Sequence, residues 1–387
     1  MAVYIRQGQQ QLPGGAGWEV FFSPTPLPLT ALDSKMSLGL ASQGAFLGDT
    51  ELKQVGVSRI VRKTSEKQSR WVIENSVTSW RKLMGEQLAD GNTGLFLGLG
   101  TVDCDDDGEQ IVFHGDYNQL ASEGLSQIKP LSGLTLLNST TASHIAELLQ
   151  ITGVNGVYSP HADAGGNAIA EAYFNLCEGQ CELALVSGGS PKISPWYFLA
   201  YQSALSTFAK QAWFPAEAVS TALLSCNPDL AEGCLLGVQR GFSASFEVNH
   251  AALDLMSLHL SPQLAGQSSG PLRQIIHVGH PEVAQQMAEQ CRRFYPDAHH
   301  LLLDRQIGTA GPAGSVVGLN LALEIIKRQT LMSNEQGALE TVDCDVGDCR
   351  HVVVACYGLL GQQVFALVGD VAAAEEAEGN RKGAKDD

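Results

Sequence analysis

The sequence contains no long apolar segment, few charged side chains and few aromatic ones. Of its 387 residues, 17% are charged and 7% are aromatic. No run reaches the roughly 18 apolar residues that a membrane-spanning helix needs, so membrane insertion is not expected. The apolar segment Val3-Tyr4-Ile5 near the start is too short for a signal peptide, which favours a cytoplasmic protein.

Basic side chains are scarce, which bears on the partners this chain can bind. It has 24 Lys and Arg residues against 41 Asp and Glu residues, and its net charge is −17. Such a charge argues against binding to nucleic acid and to anionic membranes. The low charged fraction and the 41 glycines are instead typical of a buried α/β sheet.

The nine cysteines are scattered and form no CxxC pair. Zinc binding is conceivable where two of them flank a helix end and two flank an acidic turn, but these spacings are unusual for zinc. Reduced, mostly buried thiols are therefore expected. The four cysteines considered as zinc ligands are Cys177, Cys181, Cys344 and Cys349.

An acidic stretch after residue 102 imitates the opening of a calcium-binding loop. Residues 103–108 place carboxylates at alternate positions and a glycine sixth, but His114 stands where the loop requires a bidentate glutamate. The residues after Gly108 also resemble a strand. A solvated acidic loop is the better interpretation, and the sequence predicts no metal site.

Residues 153–189 organise the rest of the chain as strand, loop, helix and strand. Tyr158 and Ser159 close the first strand, residues 161–166 form a loop of mostly small side chains, and residues 167–177 show apolar side chains at helical spacing. The apolar run that ends at Gly189 is typical of a buried strand. A residue at the loop-to-helix junction faces the positive end of the helix dipole, which favours a thiolate or an oxyanion.

A second segment repeats this organisation. Residues 307–315 are again a loop of small residues that opens an apolar helix, and residues 351–368 read as strand, turn and strand. The length alone allows two or three ordinary domains or one large duplicated domain. The internal repeat favours the duplicated one.

The loop at residues 159–169 resembles the nucleophile elbow of the ketosynthase branch of the thiolase superfamily. In that family a cysteine stands where this chain has Ala162, and none of the nine cysteines lies in the loop. The resemblance implies a thiolase fold of the α/β class, with duplicated βαβαβαββ halves in a five-layered αβαβα arrangement. It places one half at residues 1–230 and the other at 231–370, followed by a charged tail, residues 371–387, that is expected to be disordered.

The resemblance also shows which catalytic groups are lost. A condensing ketosynthase uses a thiolate, two imidazoles and an oxyanion hole. The first histidine loop of the family aligns with residues 275–282, where His277 matches the histidine. The second aligns with residues 306–309 and has no histidine. The Gly-Phe-Gly-Gly turn becomes residues 358–361, with Leu359 in place of the phenylalanine.

Ketosynthase-like chains without the cysteine resemble chain-length factors, which pair with an active ketosynthase and shape the tunnel for the growing chain. The resemblance implies a heterodimer of type II polyketide, aryl polyene or fatty-acid-like biosynthesis, with no activity of its own and no bound cofactor. The complex would act on 4′-phosphopantetheine-linked acyl chains. An acidic acyl carrier protein would then need a local basic patch or a more basic partner subunit. The residues expected at the tunnel or interface are Tyr158, Ser159, Ala162, Leu359 and Leu360.

An independent activity is the alternative. His161 and Asp163 flank Ala162, and His277 and His280 could come close in space. A His–Asp pair can act as a general base, which would suit an acyl-thioester hydrolase or a decarboxylase. The plainer interpretation is that these are loop or interface groups satisfied by hydrogen bonds. A scaffold or regulatory role also stays open.

Overall fold

The computed structural model describes residues 2–15, 17–22, 27–103, 118, 122, 131–205, 213–249, 272–334, 338–345 and 349–372. The tail that is expected to be disordered lies outside this part of the chain from residue 373 on. Most of the acidic stretch, residues 104–117, lies outside it too. No helix in the described residues is both long and apolar enough to cross a membrane.

Strands and helices alternate along most of the described chain. The strands are β1 (Val3–Gln11), β2 (Leu29–Ala31), β3 (Gln43–Ala45), β4 (Thr93–Leu99), β5 (Asn155–Tyr158), β6 (Leu183–Gly189), β7 (Val219–Ser225), β8 (Gly233–Phe242), β9 (Gln274–Val278), β10 (His299–Leu302), β11 (Thr330–Ser333), β12 (Glu340–Asp343), β13 (His351–Tyr357) and β14 (Gln362–Gly369). The helices are α1 (Glu19–Phe22), α2 (Ser34–Ser37), α3 (Arg59–Thr64), α4 (Lys67–Met84), α5 (Ser132–Thr135), α6 (Asn138–Leu149), α7 (Ala162–Cys177), α8 (Pro195–Leu205), α9 (Pro281–Phe294), α10 (Leu303–Ile307) and α11 (Pro312–Arg328).

Ten of these strands form one sheet built from two matching halves. Its order is β10-β9-β13-β14-β8-β1-β7-β6-β4-β5. In the first half β5, β4 and β6 are parallel, and β7 and β1 follow antiparallel. In the second half β10, β9 and β13 are parallel, and β14 and β8 follow antiparallel. The predicted duplication is thus confirmed strand by strand.

The two halves meet at β1 and β8. Three residue pairs join them, Val3 with Leu235, Tyr4 with Cys234 and Ile5 with Gly233. β1 also pairs along its other edge with β7. The hydrogen-bonded ladder therefore runs without interruption from one half to the other.

Two buried helices lie between the half-sheets. Both α7 and α11 contact strands of the first half, such as β4 and β6, and strands of the second, such as β13 and β14. α4 and α6 pack on strands of the first half, and α9 packs on β9 and β10 of the second. Strands such as β4 and β13 are buried along their whole length because helices cover both faces, which explains their continuous apolar sequence. This mixed α/β architecture confirms the predicted fold class.

The central helices approach each other at glycines. A Cβ on Gly165 of α7 would collide with the carbonyl oxygen of Pro312, the first residue of α11, and would lie 2.9 Å from the Cβ of Ser315. A Cβ on Gly98 of β4 would lie 2.5 Å from the Cα of Gly165. Real Cβ atoms essentially never come so close to other atoms. The close packing of α7 against α11 and β4 therefore requires glycine at positions 98 and 165.

A buried ion pair fixes the loops on one side of the central helices. The Glu217 side chain is fully buried and accepts hydrogen bonds from Lys67 Nζ (2.8 Å), the Leu47 amide (2.9 Å) and the Ile193 amide (3.0 Å). Burial raises the pKa of Glu217, and the ammonium group of Lys67 opposes this shift. The carboxylate thus holds together the segment after β3, the start of α4 and the loop before α8.

Candidate functional site

A small pocket lies where three helices begin. α7, α9 and α11 all start at it, and the β13–β14 turn and α8 close its remaining sides. Its volume is about 30 Å³, far below the 300–1,000 Å³ that is typical of sites for small organic molecules. The lining residues are Pro160, His161, Ala162, Pro191, Tyr197, Tyr201, Gly279, His280, Thr309, Gly311, Tyr357 and Leu359.

Ala162 is the first residue of α7 and lines this pocket. Its side chain is buried, and its carbonyl oxygen accepts a hydrogen bond from the Ser315 hydroxyl of α11. The position faces the positive end of a 16-residue helix, as the sequence predicts. A methyl group is no nucleophile, and no cysteine lines the pocket in the part of the chain that is described.

The cysteine nearest in sequence to the pocket turn does not supply a thiolate. Cys356 precedes the pocket residue Tyr357 and is buried in the core. Burial raises the pKa of its thiol to about 12, and the neighbouring carboxyl groups of Asp163 and Asp304 act in the same direction. The thiol is therefore protonated and unreactive at neutral pH.

Two neutral imidazoles line the pocket. Burial lowers the pKa of His161 to about 4 and that of His280 to about 4. The ring of His161 packs on Tyr201, with 4.8 Å between ring centroids, and that of His280 packs on Trp213 at 5.1 Å. At neutral pH both side chains are uncharged and can act as hydrogen-bonding groups.

His277 lies elsewhere. Its Nδ1 hydrogen-bonds with the Tyr357 hydroxyl (2.9 Å) and its Nε2 with His300 Nδ1 (2.9 Å), in the fully buried interior. Neighbouring side chains of a strand point to opposite faces. Ile276 and Val278 belong to the core cluster around α7 and α11, so His277 points away from these helices. Of residues 275–282, His280 is the one whose imidazole reaches the pocket.

Asp163 and His161 are not joined by a hydrogen bond within the described ranges. The Asp163 carboxyl group is buried, and its Oδ2 accepts from Asn167 Nδ2 at a long 3.5 Å. Its Oδ1 has no hydrogen-bond partner among the described residues and faces the backbone of Gly358, where a Cβ would lie 2.5 Å away. Burial raises the pKa of Asp163 to about 6. The side chain therefore faces the β13–β14 turn, while His161 faces Tyr201.

Replacing Asp163 by asparagine is expected to stabilise the protein at alkaline pH. The pKa of this carboxyl group rises from 3.8 to about 6 on folding, so the folded state binds the proton more tightly. Ionisation of this carboxyl group therefore lowers the free energy of unfolding as the pH rises from 3.8 to about 6, and the whole loss is present above pH 6. We expect Asp163→Asn to raise the free energy of unfolding by about 1–3 kcal/mol at pH 8 and to change it little at pH 4.

Denaturant titrations at both pH values measure this effect. Asp297→Asn, at an exposed position, makes the same chemical change and should leave stability unchanged at both. If Asp163→Asn destabilises the protein at pH 8, the carboxylate makes a favourable contact there.

Of the residues expected at a tunnel or interface, Ala162 and Leu359 meet in the pocket. Tyr158 ends β5, which is the outermost strand of the first half-sheet. The Ser159 hydroxyl donates a hydrogen bond to the carbonyl oxygen of Gly100 (3.3 Å). Leu360 lies next to the pocket residue Leu359 but is 59% exposed. None of these three residues lines the pocket.

An aromatic wall that was not predicted from the sequence lines one side of the pocket. Tyr197 and Tyr201 of α8 pack together with 4.9 Å between ring centroids. The Tyr201 hydroxyl donates to the carbonyl oxygen of Pro160 (3.1 Å) and hydrogen-bonds with the Thr101 hydroxyl (3.0 Å). The sequence feature that could have predicted this wall is the aromatic triplet at residues 196–198. Tyr197 and Tyr201 thus form one side of a pocket of about 30 Å³.

The groups considered as metal ligands are not brought together. In the described residues no three His, Cys, Asp or Glu side chains are placed to hold a metal ion. The Asp103 carboxylate instead pairs with Lys192 Nζ at 3.4 Å. The remaining positions of the calcium-like loop lie outside the described residues.

Comparisons with known proteins agree with this architecture. Residues 30–220 match the family model described as beta-ketoacyl synthase, N-terminal domain. A sequence search of curated proteins finds no match. The match to the family model thus covers almost half of the chain.

Solved ketosynthase structures superpose on nearly the whole chain. The ketosynthase from module 6 of the bacillaene synthase of Bacillus subtilis 168 is 11% identical, with a TM-score of 0.69 over 96% of this chain and 72% of that one. The oxazolomycin ketosynthase domain OzmH KS7 of Streptomyces albus JA3453 is 13% identical, with a TM-score of 0.68 over 95% and 74%. A beta-ketoacyl synthase from Burkholderia phymatum STM815 is 13% identical, with a TM-score of 0.74 over 95% and 99%. At these identities the likeness shows the fold.

Proposed function

Starting from this ketosynthase-like thiolase fold, we propose that the protein is a non-catalytic subunit of a β-ketoacyl synthase complex. It would pair with an active ketosynthase and shape the tunnel for the growing acyl chain, as chain-length factors do in type II polyketide or fatty-acid-like biosynthesis. The observation that carries this proposal is the methyl group of Ala162 in the pocket at the start of α7, a position that the sequence resemblance assigns to the family nucleophile.

The rest of the pocket supports a role without covalent catalysis. Condensation requires a group that takes the acyl chain from its carrier. The pocket offers neutral His161 and His280 but no thiol in the described residues, and its volume is about 30 Å³. An acyl chain would therefore be attached to the partner, whose cysteine would do the chemistry.

The net charge of this chain bears on how the substrate would be delivered. Acyl chains linked to 4′-phosphopantetheine would reach the complex on an acyl carrier protein. The net charge of −17 opposes the docking of such an acidic protein on this chain as a whole. We therefore expect the partner subunit to supply most of the docking contacts.

Co-expression with a ketosynthase encoded beside this gene tests the proposal. Native mass spectrometry is expected to show a one-to-one complex, and incubation with an acyl carrier substrate should place the acyl adduct on the partner alone. A homodimer that ignores the partner and turns over an acyl thioester would contradict the proposal.

One observation favours the alternative of an independent enzyme. A carboxyl group with a pKa near 6, like that of Asp163, is typical of functional sites. His161 and Asp163 would then supply the general base of a hydrolase or decarboxylase. Their separate orientations weaken this alternative, because a base and the group that orients it normally lie within hydrogen-bond reach.

A further inference from the structure

A second cavity lies at the opposite end of α7 from Ala162. It has a volume of about 520 Å³ and is bordered by the last turns of α4 and α7 and by the near ends of β4, β6 and β7. Because α7 has 16 residues, the two ends of this helix are about 24 Å apart. The cavity is therefore separate from the pocket, and its capacity to bind a ligand does not depend on the proposed function.

Apolar side chains predominate in the walls of this cavity, beside polar ones such as Gln87 and Asn227. Trp80 and Leu176 are buried in the two core clusters that meet there, and Met84 and Leu183 extend the same surface. Leu88 forms one side and is 57% exposed. Volumes of 300–1,000 Å³ with mostly apolar walls are typical of sites for small organic molecules. The cavity can accept an apolar group of that size.

The charged side chains that line the cavity have one sign, while Arg81 and Lys82 in the last turn of α4 lie outside its lining. Asp90 and Glu182 contribute carboxylates, and none of the lining side chains in the described part of the chain is Lys, Arg or His. The negative end of α7 points towards the cavity, and the last turn of that helix carries no basic residue to compensate it. A cation at the mouth is therefore favoured and an anion is disfavoured.

The two carboxylates differ in their hydrogen bonds and exposure. Asp90 Oδ1 accepts hydrogen bonds from the Asn92 amide (3.1 Å) and the Thr93 hydroxyl (3.1 Å), so it is held in place within the loop. Glu182 is exposed at the start of β6. Asp90 thus gives the site a fixed charge, and Glu182 can turn towards a bound cation.

From these features we infer that the cavity binds an amphipathic organic cation, an alkylammonium or arylalkylammonium ion. The hydrocarbon part lies against Met84, Leu88 and Leu183, the lining apolar side chains that are at least partly accessible, and the ammonium group lies at the mouth beside Asp90 and Glu182. Apolar burial supplies the affinity, and the carboxylates with the α7 terminus determine the sign of the charge that is accepted.

Isothermal titration of the full chain with octylammonium tests this inference, with octanoate as the probe of opposite charge on the same hydrocarbon. We expect saturable binding of octylammonium, and binding of octanoate at least about tenfold weaker. Glu182→Gln should weaken octylammonium binding about threefold, since one partly solvated carboxylate is lost. Leu88→Ala should weaken octylammonium binding to a similar extent, because it removes part of the apolar surface that the hydrocarbon chain contacts.

Two matched variants control the test. Glu147→Gln removes an exposed carboxylate from α6, and Leu360→Ala truncates a leucine that is 59% exposed, close to the 57% of Leu88. Neither should change octylammonium binding. The inference is overturned if saturable octylammonium binding is absent, if octanoate binds equally well, or if the control variants weaken binding as much as Glu182→Gln and Leu88→Ala do.

Discussion

Replacing the nucleophilic cysteine of the partner ketosynthase by alanine is expected to lower condensation by the assembled complex at least about a thousandfold, because no second acyl-accepting thiol would remain. The double variant His161→Ala/Asp163→Ala of this chain should leave turnover within about threefold. The asymmetry follows from the pocket, where Ala162 offers no nucleophile and the two polar side chains face different neighbours. Turnover of a carrier-bound substrate by each reconstituted complex measures both effects.

Native mass spectrometry of each variant complex is the control, because loss of assembly would also abolish turnover. An intact complex whose activity collapses with His161→Ala/Asp163→Ala would contradict the proposal of a non-catalytic subunit. The same result would make the His–Asp pair the candidate general base.

Replacing Gly165 by alanine is expected to destabilise the protein by more than about 3 kcal/mol, or to prevent folding. The new Cβ would collide with the carbonyl oxygen of Pro312 and crowd the Ser315 side chain. Both neighbours belong to α11, which is buried between the half-sheets and cannot move without disturbing strands on both sides. The backbone oxygen cannot be rotated away as a flexible side chain could be.

Gly48→Ala is the matched control for this variant. Gly48 has no heavy atom within 4 Å of the position of an added Cβ and no positive φ, so its replacement should change stability by less than about 0.5 kcal/mol. Denaturant titration compares the two variants, and soluble yield replaces it if Gly165→Ala does not fold. A Gly165→Ala protein as stable as the wild type would show that the central helices can separate.

The fold was predictable from the sequence because its central segments repeat a strong local pattern. Residues 153–189 combine apolar strands, small loop residues and helical spacing, and residues 307–368 repeat much of this order. The small residues are needed where α7 crosses α11. The packing of these helices therefore explains why small residues recur in both loops. The joining of β1 to β8 could not be predicted, because no local pattern specifies which distant strands pair.

The site was predictable only in part. Ala162 was located because it occupies a fixed place in a loop-to-helix pattern. The resemblance assigned the family histidine to His277, whereas His280 is the one that lines the pocket. β9 is buried on both faces, so its sequence shows no alternation to reveal which face His277 takes, and His280 lies beyond the strand at the start of α9. The aromatic wall comes from α8, and its position in the same pocket as Ala162 depends on tertiary packing that the sequence does not display.

The strand pairing of β1 has a consequence for how the chain folds during synthesis. β1 lies at Val3–Gln11, yet its two neighbours are β7 and β8, which begin at Val219 and Gly233. Both edges of β1 stay unpaired until the ribosome has made these distant segments, and pairing of such high contact order is slow and exposed to aggregation. A nascent chain that stops before Gly233 would present the β1 edge that β8 normally covers, and an unpaired strand edge is a template for aggregation.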